Sequence, residues 1–307
     1  MQSPLPSPKK SNNWLGLYIA LGIVWGCSFI FIKLGLEFLT PVGVAFGRVS
    51  LGALTLVFWA RYKNIALPTD KKIWAHLWVV AMLLNVIPGV LFAQAETQVT
   101  SILAGIINAV TPLMTLLAIM IVFRAEKLKS FQVIGLLLGF LGVLTVLGAW
   151  NGLGANPISA VLALLLAVTC YGFSFPYTRK FVLPYKLKPE AMAATQVSAG
   201  AVTLLPFYLM DGIAKNEYRP GPVFAMIALG VFGSGFAYIW NFKIMEAAGS
   251  AIASSVTYVT PLVAVIVGII FLGERITWNE PVGALVVLVG AAIGQGRISL
   301  GKRESNR

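Results

Sequence analysis

The 307-residue chain is 58% hydrophobic and only 11% charged, with a formal net charge of +12. A water-soluble domain carries roughly 25% charged residues, so this composition excludes one, and apolar runs leave no stretch long enough to build one. The excess of cations does not mark a nucleic-acid binder, because their placement along the chain follows another rule.

A hydrocarbon core about 30 Å thick needs about 20 apolar residues of helix. Ten runs meet that need: 14–36, 41–61, 73–94, 100–123, 131–150, 158–179, 190–210, 222–243, 250–272 and 279–298. The expectation is an all-α polytopic membrane protein. The polar, basic segment MQSPLPSPKKSNN precedes the first run, which is too long for the apolar part of a signal peptide and has no cleavage site after it. It reads as a retained first span. Cys27 and Cys170 fall inside spans 1 and 6, where a thiol acts as a small apolar residue rather than half of a disulfide. Counting alternate connections from the N-terminus, 18 of the 23 Lys and Arg residues lie on the side of the two termini. Four, Lys33, Lys215, Arg219 and Arg275, lie on the other side, and Arg48 lies within span 2. That asymmetry is the positive-inside pattern, which predicts cytoplasmic termini.

The chain repeats itself. "WGCSFIFIK" (25–33) is echoed by "YGFSFPYTR" (171–179) at an offset of 146, and "RVSLGALTL" (48–56) by "QVSAGAVTL" (196–204) at 148. "SILAGIINAVTP" (101–112) is answered by "SAIASSVTYVTP" (250–261) at 149, and "AEKL" (125–128) by "GERI" (273–276) at 148. The expected organisation is a tail at 1–13, one repeat of five helices at 14–150, a second at 151–299 and a tail at 300–307. Five spans is an odd number, so equivalent helices run in opposite directions and the repeats are inverted, an arrangement that places a solute site where the two meet near the bilayer midplane.

These residues resemble the EamA family of the drug/metabolite transporter superfamily. The resemblance rests on the "WG.SF...K" phrase of span 1, Pro41 and then Arg48 in span 2, the prolines of spans 4 and 9, and Glu126 and Glu274 just after those spans. It implies ten helices, a central cavity lined mainly by spans 1, 3, 4, 6, 8 and 9, and a substrate among amino acids, other metabolites and toxic amphiphiles, with export slightly preferred. The second repeat departs from the pattern at Gln196, which stands where the first has Arg48.

Pro112 and Pro261 lack an N–H and free the carbonyls of Asn108 and Thr257 four residues earlier. Two readings fit: simple kinks satisfied by neighbouring side chains, or paired hinges that expose backbone to a cavity. Helical spacing groups Asn108, Thr111 and Thr115 on one face, and Ser254, Thr257 and Tyr258 on another. Trp25 and Ser28 share a face of span 1, as Tyr171, Ser174 and Thr178 share one of span 6. Either they pack helices together beside Gly26 and Gly172, or they give an amphiphile an aromatic wall and a hydroxyl from each repeat. Asn85 in span 3, and Ser234, Tyr238 and Asn241 in span 8, offer polar groups that serve equally as interhelical bonds or ligand contacts. Arg48 is the one charge well inside a span, with the outer end about 10 Å away at 1.5 Å per residue. A structural or electrostatic role is preferred for it over direct binding. Glu96 on one side, and Lys243 with Glu246 on the other, are candidate gate charges or solvated ends.

No Asp or Glu lies deep in any span, which disfavours a carboxylate-based proton antiporter. Coupling through Glu96, Glu246 or the single histidine, His76, stays open. "GRISLGKR" (296–303) has the spacing of a phosphate loop, but it ends in Arg303 in place of Ser or Thr and follows a span, not a strand. With no H-E-x-x-H motif and no G-x-S-x-G elbow, no metal, cofactor or catalytic set is expected. The partners predicted are a small-molecule solute and the lipid bilayer, with no nucleic acid and no oligomeric state specified. An integral-membrane enzyme and a channel-like or regulatory protein are the rival classes.

Overall fold

The computed structural model describes residues 14–121, 130–149, 156–211 and 218–294. Among these residues there are ten helical rods and no strand. They are α1 (Trp14–Gly35), α2 (Pro41–Tyr62), α3 (Lys71–Glu96), α4 (Ser101–Ile121) and α5 (Ser130–Val146), then α6 (Ile158–Phe181), α7 (Pro189–Asp211), α8 (Pro220–Ala248), α9 (Ser250–Leu272) and α10 (Asn279–Gly294). Eight are long and apolar enough to cross a membrane, while α5 and α10 contain shorter apolar helices. Glu126, with the rest of "AEKL", and the basic segment 296–303 lie outside the described residues.

Local chemistry sets the ends of these rods. Thr40 accepts a hydrogen bond from Gly43 N–H while Pro41 takes the first helical position of α2, and Asp70 and Thr100 cap α3 and α4 in the same way. Between α8 and α9 the chain turns at Gly249, whose φ of +87° is open to glycine at little cost.

Packing follows the repeat. Helix α1 lies against α8 and α9, and its equivalent α6 lies against α3 and α4. Helix α2 packs on α8 as α7 packs on α3, and three self-equivalent pairs, α2–α7, α4–α9 and α5–α10, cross the seam. Exchanging the two halves maps this set of contacts onto itself, the signature of a pseudo-twofold axis. Large apolar side chains such as Leu54, Phe58, Val202, Leu209, Leu262 and Phe271 point outward and are exposed. A surface of that kind suits hydrocarbon, not water.

The α5–α10 contact is close because both facing stripes are glycine. A Cβ added to Gly135 would lie 2.4 Å from Gly294 N, one on Gly283 2.4 Å from Val146 N, and one on Gly290 2.6 Å from Gly139 N. Backbone therefore meets backbone, the usual route to helix association where lipid removes the hydrophobic drive.

At the end of the bundle away from the N-terminus, Glu274 of the α9–α10 connection reaches across the seam to the start of α4. Its carboxylate accepts from Ser101 N–H at 2.8 Å, Ser101 Oγ at 2.9 Å and Ile102 N–H at 3.0 Å. An anion at a helix N-terminus meets unsatisfied N–H groups and the positive end of the dipole. Glu274→Ala is expected to destabilise the protein by about 2 kcal/mol, read as a lower melting midpoint together with faster amide exchange at Ser101 and Ile102.

Candidate solute cavity at the repeat seam

Helices α3 and α8 both loosen to π spacing halfway along, over Met82–Val86 and Leu229–Phe236. In α3 the segment runs up to Pro88, which has no N–H for the carbonyl of Leu84. In α8, Ala237 N–H bonds to Phe232 C=O five residues back, which opens the carbonyl of Gly233. Leu84 and Gly233 are equivalent positions, 149 residues apart. Each carbonyl takes an aromatic donor from the opposite repeat: Tyr238 OH donates to Leu84 O at 3.1 Å, and Trp25 Nε1 to Gly233 O at 3.3 Å. The two rings meet edge to face, 6.1 Å apart. Tyr238→Phe keeps the ring and strips the donor, so it is expected to lower stability by about 1–2 kcal/mol through the orphaned Leu84 carbonyl. A thermal melt of the purified variant measures this.

Trp25 and Tyr238 form one wall of a central cavity with about 510 Å³ of atom-free space, counting its mouth. The lining comprises Trp25, Ser28, Phe29 and Ile32 of α1, Arg48 of α2, Leu84 and Phe92 of α3, and Asn108 and Thr111 of α4. Tyr171 and Phe175 of α6, Tyr238 of α8 and Thr257 of α9 complete it. Tyr171 stacks on Phe92 at 5.7 Å, and Phe29 leans on Phe92 at 5.5 Å. The result is an aromatic chamber with a few polar groups, contributed by both repeats.

The floor of the chamber is the α4–α9 crossing. Helix α4 breaks at Ala109–Val110, ahead of Pro112, and α9 tightens to 3-10 spacing over Ser255–Tyr258, ahead of Pro261. Thr260 Oγ1 donates to the freed carbonyl of Thr257 at 2.9 Å and accepts from Asn108 Nδ2 at 3.2 Å, while Thr111 Oγ1 donates to Asn108 Oδ1 at 3.4 Å. On the α9 side the proline's orphan carbonyl is thus satisfied by a threonine, as the simple-kink reading requires, at a point where both helices are interrupted.

A sequence profile of the EamA-like transporter family matches residues 12–148 and again 158–293. The chain belongs to this family. It is therefore a multi-pass membrane transporter of the EamA type, built on the family's two-repeat fold. It is 27% identical over 285 residues to an uncharacterized transporter of Archaeoglobus fulgidus, covering 91% of this chain and 96% of that one. It is 26% identical over 287 residues to the uncharacterized inner membrane transporter YedA of Escherichia coli, covering 94% and 90%. A crystal structure of a protein 15% identical in sequence superimposes with a TM-score of 0.69 over 93% of this chain and 97% of the other, which shows the shared fold.

Within this EamA frame the candidate residues separate. Trp25, Ser28, Asn108, Thr111, Tyr171 and Thr257 line the cavity, and so does Arg48. Arg48 is 7% exposed and its Nε–H donates to Ser234 Oγ at 2.9 Å, so the side chain stays in the bundle instead of reaching for the interface. Asn85, Ser174, Asn241 and Tyr258 fall outside the lining. Asn85 Oδ1 accepts from Gln196 Nε2 at 2.6 Å between α3 and α7, an interhelical bond. Ser174 Oγ donates back to Tyr171 O at 2.7 Å, which spends its hydroxyl on its own helix. Asn241 is buried with no hydrogen bond to its amide among the described residues, and Tyr258 is half-buried against the apolar core.

The charges at the helix ends differ from the expected grouping. Lys243 pairs with Glu190 of α7 at 2.9 Å, leaving Glu246 exposed, because α7 and α8 pack side by side. Glu96 is fully buried, not a solvated end, and its carboxylate has no hydrogen bond among the described residues. Lys33 instead donates to the main-chain oxygens of Glu96 at 2.6 Å and Val99 at 2.9 Å, a cation on the C-terminus of α3. His76 Nδ1 lies 2.9 Å from Tyr177 OH, and the ring stacks on Phe181 at 5.4 Å in an aromatic cluster joining α3 to α6. Phe29, Ile32, Leu84, Phe92 and Phe175 line the cavity without having been singled out. Phe29 and Phe175 are the "SF" of the repeated phrase, so that phrase already carried them.

Proposed function

We propose that the protein is a secondary, ATP-independent carrier that moves a small organic solute, such as an amino acid or related amphiphile, across the cytoplasmic membrane by alternating access. Export is the preferred net direction, and both termini face the cytoplasm, in keeping with the distribution of Lys and Arg. The observation that carries the reading is one chamber lined by equivalent positions of two inverted repeats: Trp25 and Tyr171 both line it, as do Asn108 and Thr257. Rocking one repeat against the other would expose such a site to each side in turn. The breaks before Pro112 and Pro261 are the hinges in this scheme. The Lys243–Glu190 pair and the Lys33 cap over Glu96 secure opposite ends of the bundle.

Counterflow tests it. Purified protein in liposomes preloaded with an unlabelled solute, chosen from a thermal-stability screen, should accumulate the labelled solute transiently and saturably. A linear flux that never saturates would overturn the carrier reading in favour of a pore.

A further inference from the structure

Arg48 and Gln196 are equivalent residues, and so are their partners Ser234 and Asn85, at offsets of 148 and 149. Arg48 Nε–H donates to Ser234 Oγ from α2 to α8, and Gln196 Nε2 donates to Asn85 Oδ1 from α7 to α3. The two repeats make the same bond, and Gln196 demonstrates that a neutral amide is enough to make it. The positive charge of Arg48 is thus surplus to the packing.

That charge stands at the cavity wall with no acid beside it. Among the described residues Arg48 has no carboxylate within 4 Å, and the cavity lining includes no Asp or Glu. Buried Glu96 feels Lys33 more strongly than Arg48. A guanidinium has five N–H donors in a planar fork, and among the described residues one of those of Arg48 is engaged. A buried cation calls for a counter-charge, and the cavity is where one can arrive.

We propose that Arg48 is an anion subsite, so that the solute is a carboxylate, or an equivalent oxyanion, on an aromatic or apolar body. The acid would dock on the guanidinium, a bidentate match that lysine does not reproduce. The body would lie against Trp25, Tyr171 and Tyr238. Cationic amphiphiles, which an aromatic chamber could otherwise hold through cation–π contacts, are repelled by the like charge. This inference rests on the cavity being the solute site and assigns the chemistry of its occupant.

The test uses the full-length protein in phosphatidylcholine nanodiscs and liposomes, with matched acid, amide and amine probes: 3-phenylpropionate, 3-phenylpropanamide and 3-phenylpropylamine, and the indole counterparts. Acids are expected to raise the melting midpoint and compete in counterflow at concentrations at least about tenfold below the amides and amines. Arg48→Gln should keep the unliganded midpoint, since Gln196 already makes the equivalent bond, and should lose that preference. If the variant does not fold, the wild-type charge series decides alone. Amides or amines that act as well as the acids would overturn the anion subsite while leaving the cavity reading in place. Failure of every probe, in both stabilisation and exchange, would bring down the cavity reading and this inference with it. Arg48-dependent stabilisation by phosphatidylglycerol, with none by the soluble acids, would identify a lipid headgroup as the anion and overturn the solute assignment.

Discussion

Gly290→Leu is expected to abolish accumulation of folded protein, with a loss well above about 3 kcal/mol. The reason is geometric. The first atom of any side chain at Gly290 would lie 2.6 Å from Gly139 N and 2.7 Å from Gly135 O, and those are backbone atoms that no rotamer can move. Helices α5 and α10 would have to separate, and with them would go the reciprocal contacts at Gly135, Gly142, Gly283 and Gly294. Lipid offers little hydrophobic compensation, because hydrocarbon is as apolar as the lost neighbours. Gly221→Ala is the control, since a Cβ there meets nothing within 4 Å. Fluorescence-detected size exclusion after mild detergent extraction should show a sharp peak for the control and an aggregated or absent one for Gly290→Leu. A sharp peak for both would mean that α5 and α10 can part at little cost.

Trp25→Ala is expected to cut counterflow by at least about tenfold while the protein still folds. Trp25 contributes ring surface to the cavity and an N–H to Gly233, so two substitutions separate its roles. Trp25→Phe retains most of the ring and loses the donor; it should retain more transport than Trp25→Ala and show a lower melting midpoint than the wild type. Tyr171→Ala, which removes the ring stacked on Phe92 in the other repeat, should resemble Trp25→Ala. Normal uptake kinetics in both alanine variants would take these rings out of the solute site.

Much of the fold could be read from residue order, because hydrocarbon thickness turns each apolar run into a helix of known length. The repeated phrases aligned the halves, and an odd number of spans set their opposite orientation. The same phrases led to Trp25, Tyr171, Asn108 and Thr257, since a repeat that meets its copy across an axis brings equivalent residues to one seam. Which helix touches which was not legible. The Asn85–Gln196 bond depends on α3 lying against α7, and Lys243 finds Glu190 instead of Glu246 because α7 flanks α8. Both follow from packing between segments far apart in the chain. The glycines of "GLLLGFLG" and "GALVVLVGAAIG" were visible, but nothing in either stretch names the other as its partner. The π segments were equally hidden: Pro88 marks one, while the other has alanine at the equivalent position 237 and a set of glycines that any helix could hold.

The exchange of aromatic donors between Leu84 and Gly233 has a bearing on biosynthesis. When the ribosome has delivered only the first five spans, the carbonyl of Leu84 has no Tyr238 to satisfy it and the indole of Trp25 has no acceptor at Gly233. The nascent half is chemically unfinished in the bilayer, and its completion waits on translation of α8. Two separately encoded halves, co-expressed, should therefore rescue each other from proteolysis, each acting as the other's assembly factor.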